Sequence, residues 1–432
     1  MRGEQDEVPA PLRAQLAARE PLLVCDLTQS YSPRGGGGIS TYLREKRDYV
    51  LEQTPHRLLQ IVPGPETKVV EDGRHIWVEI EAPQVRGSPN YRFILKTKPV
   101  HAVLQHYRPD IIESLCPWLL PWTAINHRKA FPETTLVAGY RTDFPNAHIY
   151  RVGAEKFGEP IARMLRSISY GYARHTYREF DWVYTLGEDA HAKLGSLGIT
   201  NTSVLSLGVD TALFTPAARD PGYRDELGLT GEGPLLIYAG RIDNEKRADR
   251  LLTMFRKLPP ELGAAMVMVG DGKLRDRMIA EAKGLSIAFP GFEKDRPALA
   301  RALASSDIYV SAMADETFGI SVLEAQAAGL PVVGVASGAM PARVPSGLGL
   351  LGKVDDTTEM AANVAKLWQS GDAPAMGETA RAMVVSSFGW NRTFLTLFEE
   401  IYPHALAASA ERLARKSLLA RAFGRMRMAT AG

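Results

Sequence analysis

The chain has 432 residues, 45% of them hydrophobic and 23% charged. That length exceeds one ordinary core and predicts two domains, while a formal net charge of +2 excludes neither a membrane surface nor nucleic acid but supplies no global basic field of the kind that would argue for DNA, and no nucleic-acid partner is expected. The two cysteines, Cys25 and Cys116, lack metal-ligand spacing and sit in apolar surroundings, as reduced core thiols do.

Residues 1–20 mix acids and arginines without an apolar core, so they do not read as a secretory signal, and no apolar run approaches the ~20 residues of a membrane span. A cytoplasmic protein is expected, with any membrane contact made from the surface. LLVCDL, residues 22–27, predicts the first strand of a doubly wound parallel sheet. Gly35 to Gly38 then give way to a helix from Ser40. Such a glycine run either brings backbone and helix N-terminus close to an anion or is a plain flexible loop. Strands follow at 57–62, 75–80, 111–115 and 135–139, with a helix ending before Pro109. YRTDFPNAHIYRVG comes next, then an arginine-rich amphipathic helix over 161–180 and a short strand over 203–207.

The second half opens with PLLIYAGRIDNEKRADRLL. Residues 235–239 predict a strand and Gly240 its turn, and Arg241 and Lys246 stand on the loop before a helix near Ala248. Two cations so spaced after a strand either converge on a diphosphate, Arg as a planar fork and Lys as a point charge, or form a solvated loop. Strands at 266–269 and 287–290 end in the turns Gly270-Asp271-Gly272 and Gly291-Phe292-Glu293. Later come a strand over 349–354, a helix over 358–369 and a helix over 388–402 whose aromatic stripe predicts a buried face. The tail carries Arg412, Arg415, Lys416, Arg421, Arg425 and Arg427 against Glu411. A basic amphipathic helix of this kind either lies in an anionic membrane surface or docks on the protein with its basic side in water.

The densest signal is residues 306–335, SDIYVSAMADETFGISVLEAQAAGLPVVGV. A strand over 308–311, a polar loop, a helix from Ile320 stopped at Gly329-Leu330-Pro331, and a strand over 332–335 make one βαβ unit. Glu316 precedes the helix and Glu324 lies about a turn inside it. Thr317, Phe318, Gly319 and Ile320 form the helix start, whose free N–H groups suit a phosphate oxygen. A carboxylate before this start suits sugar hydroxyls and one inside suits a ribose diol. A nucleotide-sugar needs both.

With Glu316, seven residues, Glu324 and the pair Phe318-Gly319, the chain resembles the retaining nucleotide-sugar glycosyltransferases of the GT-B fold, the large family with mannosyl-, glucosyl- and sulfoquinovosyl-type members. The resemblance implies an α/β protein with two Rossmann-like domains whose parallel sheets face a central cleft. It implies an acceptor-side domain over 1–208, a donor-binding domain over 209–387, a helix over 388–405 crossing back, and a basic tail over 406–432; LGVDTALFTP matches the family's domain junction. It implies transfer of a hexosyl group from a UDP- or GDP-linked sugar to a hydroxyl. Glu316 would hold the donor sugar, Arg241 and Lys246 the leaving diphosphate and Glu324 the ribose. Gly36, Gly37 and Gly38 would close over the phosphates. Gly270, Gly272 and Phe292 would lie by the base, which main chain reads, leaving uracil and guanine both open. No Asp-x-Asp metal motif is present, so neither metal nor cofactor is expected.

Residues 141–145 depart from the resembled pattern, reading Arg-Thr-Asp-Phe-Pro where many lipid-acceptor relatives begin with His. Arginine is not a base at physiological pH. Arg141 instead pairs either with an acidic sugar or headgroup or with Asp143 or another internal acid. His148 is the other acceptor-side candidate, or a structural histidine. The TDFP segment and the basic tail together imply a membrane-lipid acceptor and a peripheral enzyme at the inner face of the plasma membrane. A nucleotide-sugar epimerase and a non-catalytic nucleotide-sugar binder are the two rival readings.

Overall fold

The computed structural model describes residues 21–31, 38–85 and 88–429. These form two compact units, one containing the chain up to Leu205 and again from Phe394, the other Ser206–Thr393.

In the first unit, β1 (Leu23–Leu27), β3 (Arg57–Gly64), β4 (Lys68–Asp72), β5 (His75–Glu81), β8 (Ile111–Ser114), β9 (Thr135–Tyr140), β10 (Trp182–Thr185) and β11 (Thr202–Val204) form one sheet. Its order is β11-β10-β9-β8-β1-β3-β5-β4. Every pairing is parallel except β4 with β5. β1, β8 and β9 are buried along their whole length, as strands covered on both faces must be, and their near-continuous apolar runs made them readable. Strand β4, KVVED, is exposed throughout; it shows no one-sided apolar alternation, and the sequence predicted no strand there. A small antiparallel sheet of β2 (Ser30–Tyr31), β6 (Gln84–Val85) and β7 (Ser88–Phe93) was likewise not foreseen.

The second unit holds β12 (Leu235–Ala239), β13 (Ala265–Val269), β14 (Ile287–Gly291), β15 (Ile308–Val310), β16 (Val332–Val335) and β17 (Gly349–Gly352). They form an all-parallel sheet in the order β14-β13-β12-β15-β16-β17. Each unit has its own apolar core, Leu59, Ile61, Ile112 and Leu136 in one and Leu236, Leu251, Met266 and Val333 in the other, all essentially inaccessible to solvent. Truncating such a leucine to alanine costs about 2–5 kcal/mol.

Both sheets reverse direction beside their first strand, between β1 and β8 and between β12 and β15. At such a switch point the loops leaving the two strands part to opposite faces and open a crevice at the carboxyl ends. The C-terminal region differs from expectation. In place of one helix over 388–405 and a separate tail, the chain forms a helix Trp390–Thr396, a π-helical turn Leu397–Ile401 and one long helix Tyr402–Ala429. The tail therefore continues the preceding helix. Its Arg412 donates to Asp181 at 2.8 Å and to the Pro132 carbonyl at 3.1 Å, which ties this basic residue to the protein.

Candidate functional site

The Glu316 loop leaves β15 at the switch point of the second unit. Glu316 Oε2 accepts from Lys246 Nζ at 3.1 Å, and Oε1 accepts from the Gly319 N–H at 3.1 Å. Gly319 sits at φ +82°, a left-handed conformation that glycine adopts without strain, and opens the helix Ile320–Ala327. One N–H expected to be free for a phosphate is thus capped by Glu316 itself. Thr317 and Ile320 are half-buried and Phe318 is buried.

The cations expected to converge on a diphosphate are divided. Lys246 turns to Glu316, whereas Arg241 pairs with Asp243 at 2.5 Å and Glu245 at 2.8 Å on its own loop. Each takes the carboxylate nearest to it, and Arg241 keeps 51% of its side chain exposed. Asp243 also accepts the Lys246 N–H at 2.9 Å, so one carboxylate shapes the loop that carries both cations. Gly270 and Gly272 pack under this loop. A Cβ on Gly270 would lie 1.8 Å from the Gly240 carbonyl oxygen, and one on Gly272 2.4 Å from that of Ile242. Their first task is therefore to let two loop backbones meet. Phe292 stands exposed after β14.

Glu324 is buried on the helix Ile320–Ala327 and accepts from Arg296 Nη2 at 2.8 Å. The Arg296 guanidinium lies 4.7 Å over the Phe214 ring. Arg296 carries no motif signal, and the sequence did not single it out.

Arg343 was also missed. Its guanidinium stacks 4.1 Å from the Phe318 ring and 4.8 Å from that of Phe388, and Nε donates to the Phe318 carbonyl at 2.7 Å. Burial lowers its pKa to about 10, against the opposing charge of Glu316. The turn after β16 fixes the same loop from behind: the Ala339 N–H donates to the Glu316 carbonyl at 2.7 Å. Gly338, at φ +57°, leaves room there, since a Cβ would stand 2.6 Å from that carbonyl oxygen. Glu316 is thus set by β15, the Gly338 turn and the Arg343 stack together.

In the first unit, Gly36 and Gly37 lie outside the described residues, and Gly38 begins the helix Gly38–Gln53. Arg141 is buried, with its guanidinium 4.4 Å above the Tyr42 ring and Nη1 3.4 Å from the Tyr184 hydroxyl. It does not pair with Asp143, which accepts from Tyr140 at 2.7 Å, Tyr170 at 2.8 Å and Asn146 at 2.5 Å. This burial favours an internal role for Arg141 over contact with an acidic headgroup. His148 is exposed, its ring 6.4 Å from that of Trp118.

Beneath Arg141 lies a charged cluster that no motif announces. Cross-strand pairing puts Gln60, Asp26 and Glu113 side by side on β3, β1 and β8. Lys46, wholly buried, donates to Asp26 and, at 2.6 Å, to Glu113. Glu113 also accepts from Tyr42 at 2.8 Å, Tyr184 at 2.6 Å and Tyr402 at 2.5 Å. Gly139 makes room for this, because a Cβ there would stand 2.6 Å from the Tyr184 hydroxyl. Burial pushes Asp26 up to about 6; Lys46 opposes that rise and Glu113 adds to it. Burial alone would also raise Glu113, but Lys46 and the hydrogen bonds hold it below the ordinary carboxylate value.

Two doubly wound sheets, each with its strand order turning back beside its first strand, are the architecture expected of the GT-B fold. A family model described as glycosyl transferases group 1 matches residues 220–383. Over 318 residues the chain is 30% identical to a GDP-mannose-dependent alpha-(1-6)-phosphatidylinositol dimannoside mannosyltransferase of Mycobacterium tuberculosis, covering 72% of this chain and 78% of that one. It is 28% identical over 402 residues to a GDP-mannose-dependent alpha-mannosyltransferase of Mycolicibacterium smegmatis, covering 92% and 99%. Among solved structures, sucrose-phosphate synthase from Thermosynechococcus elongatus matches with a TM-score of 0.71 at 19% identity, covering 90% of this chain and all of that one. The chain belongs to the group 1 glycosyl transferases.

Proposed function

We propose that the protein transfers a hexosyl group from a nucleoside diphosphate sugar to a hydroxyl of a membrane lipid or glycolipid, with retention of anomeric configuration and without a metal ion. The observation that carries this reading is the Lys246–Glu316 pair at 3.1 Å, placed where strand order reverses, the position at which doubly wound sheets generally receive a ligand. The carboxylate faces hydroxyl chemistry and the ammonium faces phosphate chemistry. A donor entering this site exchanges the pair's mutual contact for its own sugar hydroxyls and diphosphate, and Arg241 swings from Asp243 and Glu245 to the same oxygens. The leaving diphosphate, stabilised by these cations, takes the acceptor proton, so no histidine is needed at position 141. Glu324 receives the ribose diol by releasing Arg296. GDP-mannose is the first donor to test, because the relatives named above depend on it, and the phosphatidylinositol dimannoside acceptor of one of them supports a lipid acceptor here. Surface association with the cytoplasmic leaflet accompanies that acceptor.

The test begins with thermal stability against GDP, UDP, ADP and their sugar conjugates. A ligand at 100 times its dissociation constant stabilises by ~2.7 kcal/mol, and a selective rise with one nucleotide names the base. Product from that donor and a lipid acceptor, examined by NMR for its anomeric configuration, then decides retention. Turnover abolished by EDTA would overturn the metal-free mechanism, and isomerised donor sugar formed without acceptor would favour an epimerase.

A further inference from the structure

The arginine-rich helix foreseen over 161–180 forms as Glu159–Tyr177, and the transfer chemistry makes no use of it. Its outer face is unusual for a surface helix. Ile161, Met164 and Ile168 are 44%, 56% and 61% exposed, and Phe157, the last residue of the preceding short helix, is 60% exposed. At spacings of three and four residues Ile161, Met164 and Ile168 fall on one stripe of the helix.

Along the other edge of the same outer face opens a pocket of about 340 Å³ lined by Asn146, Arg163, Arg166, Ser167, Tyr170 and Lys193. Three cations line it and no carboxylate does. Among the described residues none of the three is in an ion pair. Arg166 lies 4.6 Å over the Tyr150 ring and Lys193 4.2 Å over that of Tyr170, so both are held by aromatic faces, with Nη1 of Arg166 also 3.5 Å from Asn146 Oδ1. The nearby acids are engaged elsewhere. Asp143, behind the pocket, accepts from Tyr170 and Asn146 and thereby fixes two of its walls, and Glu159 accepts from Tyr150 at 2.6 Å.

We propose that this pocket and stripe bind the phosphate headgroup of an anionic phospholipid in a membrane surface, with the stripe lying among the acyl chains. The proposal builds on the lipid-acceptor reading above. The charge pattern selects this occupant: cations without acids match a phosphate, and an apolar edge beside them matches the boundary between headgroups and hydrocarbon better than a soluble anion. The contact thus falls on the helix Glu159–Tyr177, in addition to or in place of the basic C-terminal helix.

The experiment is co-sedimentation of the full chain with vesicles of phosphatidylcholine alone and of phosphatidylcholine mixed with phosphatidylglycerol. Two triple variants are compared, one Arg163→Gln, Arg166→Gln and Lys193→Gln, the other Ile161→Ser, Met164→Ser and Ile168→Ser. A third replaces Arg421, Arg425 and Arg427 with glutamine. Thermal stability with and without nucleotide is recorded for each. The expected result is binding of the native chain to the anionic vesicles, weakened roughly tenfold or more by the pocket variant and comparably by the stripe variant, with the nucleotide response unchanged. Because the side chains replaced in the pocket and stripe variants are at least partly exposed, those two variants should fold. Vesicle binding unchanged in the pocket and stripe variants, or lost only in the third variant, would overturn the proposal. So would stabilisation by inorganic phosphate without vesicle binding, which would mark a site for a free anion. Absence of any nucleotide response in the native chain is the separate sign that the donor reading has failed.

Discussion

At the reversal between β1 and β8, Lys46, Asp26 and Glu113 have no exposed side-chain surface. At the reversal between β12 and β15, Glu316 and Lys246 keep 12% and 23% of theirs, and Arg241 51%. Counting acceptor sites separates the two places further. Glu113 accepts from Lys46, Tyr42, Tyr184 and Tyr402, which saturates the roughly four lone-pair directions of a carboxylate. Glu316 accepts from one ammonium and one N–H, about half that capacity. One topological position has been filled from within the protein, and the other keeps exposed charge and unused hydrogen-bonding capacity, as the proposed donor site requires. Ionisable groups at a switch point are therefore not by themselves a site; unused capacity and exposure make one.

The largest expected effect comes from breaking the saturated cluster. Lys46→Met should cost about 3–5 kcal/mol, the penalty of leaving a buried charge unpaired, measured by urea unfolding. The pH dependence follows from the signs. In the native chain Asp26 has a folded pKa raised to about 6, so its contribution is present below the unfolded value and fades as pH rises through about 6. Glu113 is lowered and contributes in the opposite sense, its share lost as pH falls. Without Lys46 both carboxylates lose the cation that lowers their pKa, so burial should push both folded values upward. The variant should then gain stability as pH drops from 8 to 5. A variant that loses less than about 1 kcal/mol, or one that weakens on acidification, would contradict the reading of the cluster.

Next in size is the open pair. Lys246→Ala should lower kcat about 10²–10³-fold, as removal of a single group stabilising developing charge does, with folding stability little changed. Arg241→Ala should do less, since Arg241 must first leave Asp243 and Glu245. Equal losses from both would show that the two cations act as one unit in the bound state.

These two regions were not equally legible. The loop holding Glu316 was readable because one βαβ unit, residues 306–335, carries strand, glycine, helix and strand in sequence, and because Arg241 and Lys246 follow β12 directly. The Asp26–Lys46–Glu113 cluster joins residues 20 and 67 apart, through strand order that no local pattern encodes. Arg343 and Arg296 stayed hidden for the same reason: each reaches its glutamate loop or helix from another element. Lys246 turning to Glu316 also lay beyond the sequence, which shows both groups but not which neighbour each takes. The exposed strand β4 lacks the apolar periodicity on which strand reading rests.

Gly338→Ala sharpens the comparison from the backbone side. A left-handed φ and a Cβ 2.6 Å from the Glu316 carbonyl oxygen should cost about 1–3 kcal/mol and displace the Glu316 loop. Catalysis should then fall more than stability alone explains, seen as a drop in kcat at a temperature where the variant is fully folded. Unchanged kcat would mean that the loop adjusts freely and that the Arg343 stack suffices to hold it.

The smallest effect tests saturation itself. Tyr184→Phe removes one of four donors to Glu113 and the hydroxyl that accepts from Arg141 Nη1, while Tyr42, Lys46 and Tyr402 remain. A carboxylate that keeps three donors is still satisfied, so the loss should be about 1 kcal/mol, the net worth of one hydrogen bond, and not the several expected for Lys46. The corresponding cut at the open site falls on Lys246, where removing one donor of two takes half of the donors to the Glu316 carboxylate. A loss of 3 kcal/mol or more from Tyr184→Phe, measured by urea unfolding, would mean that the cluster acts cooperatively. Arg141, stacked on Tyr42 and facing Tyr184, would then belong to it as fully as Lys46 does.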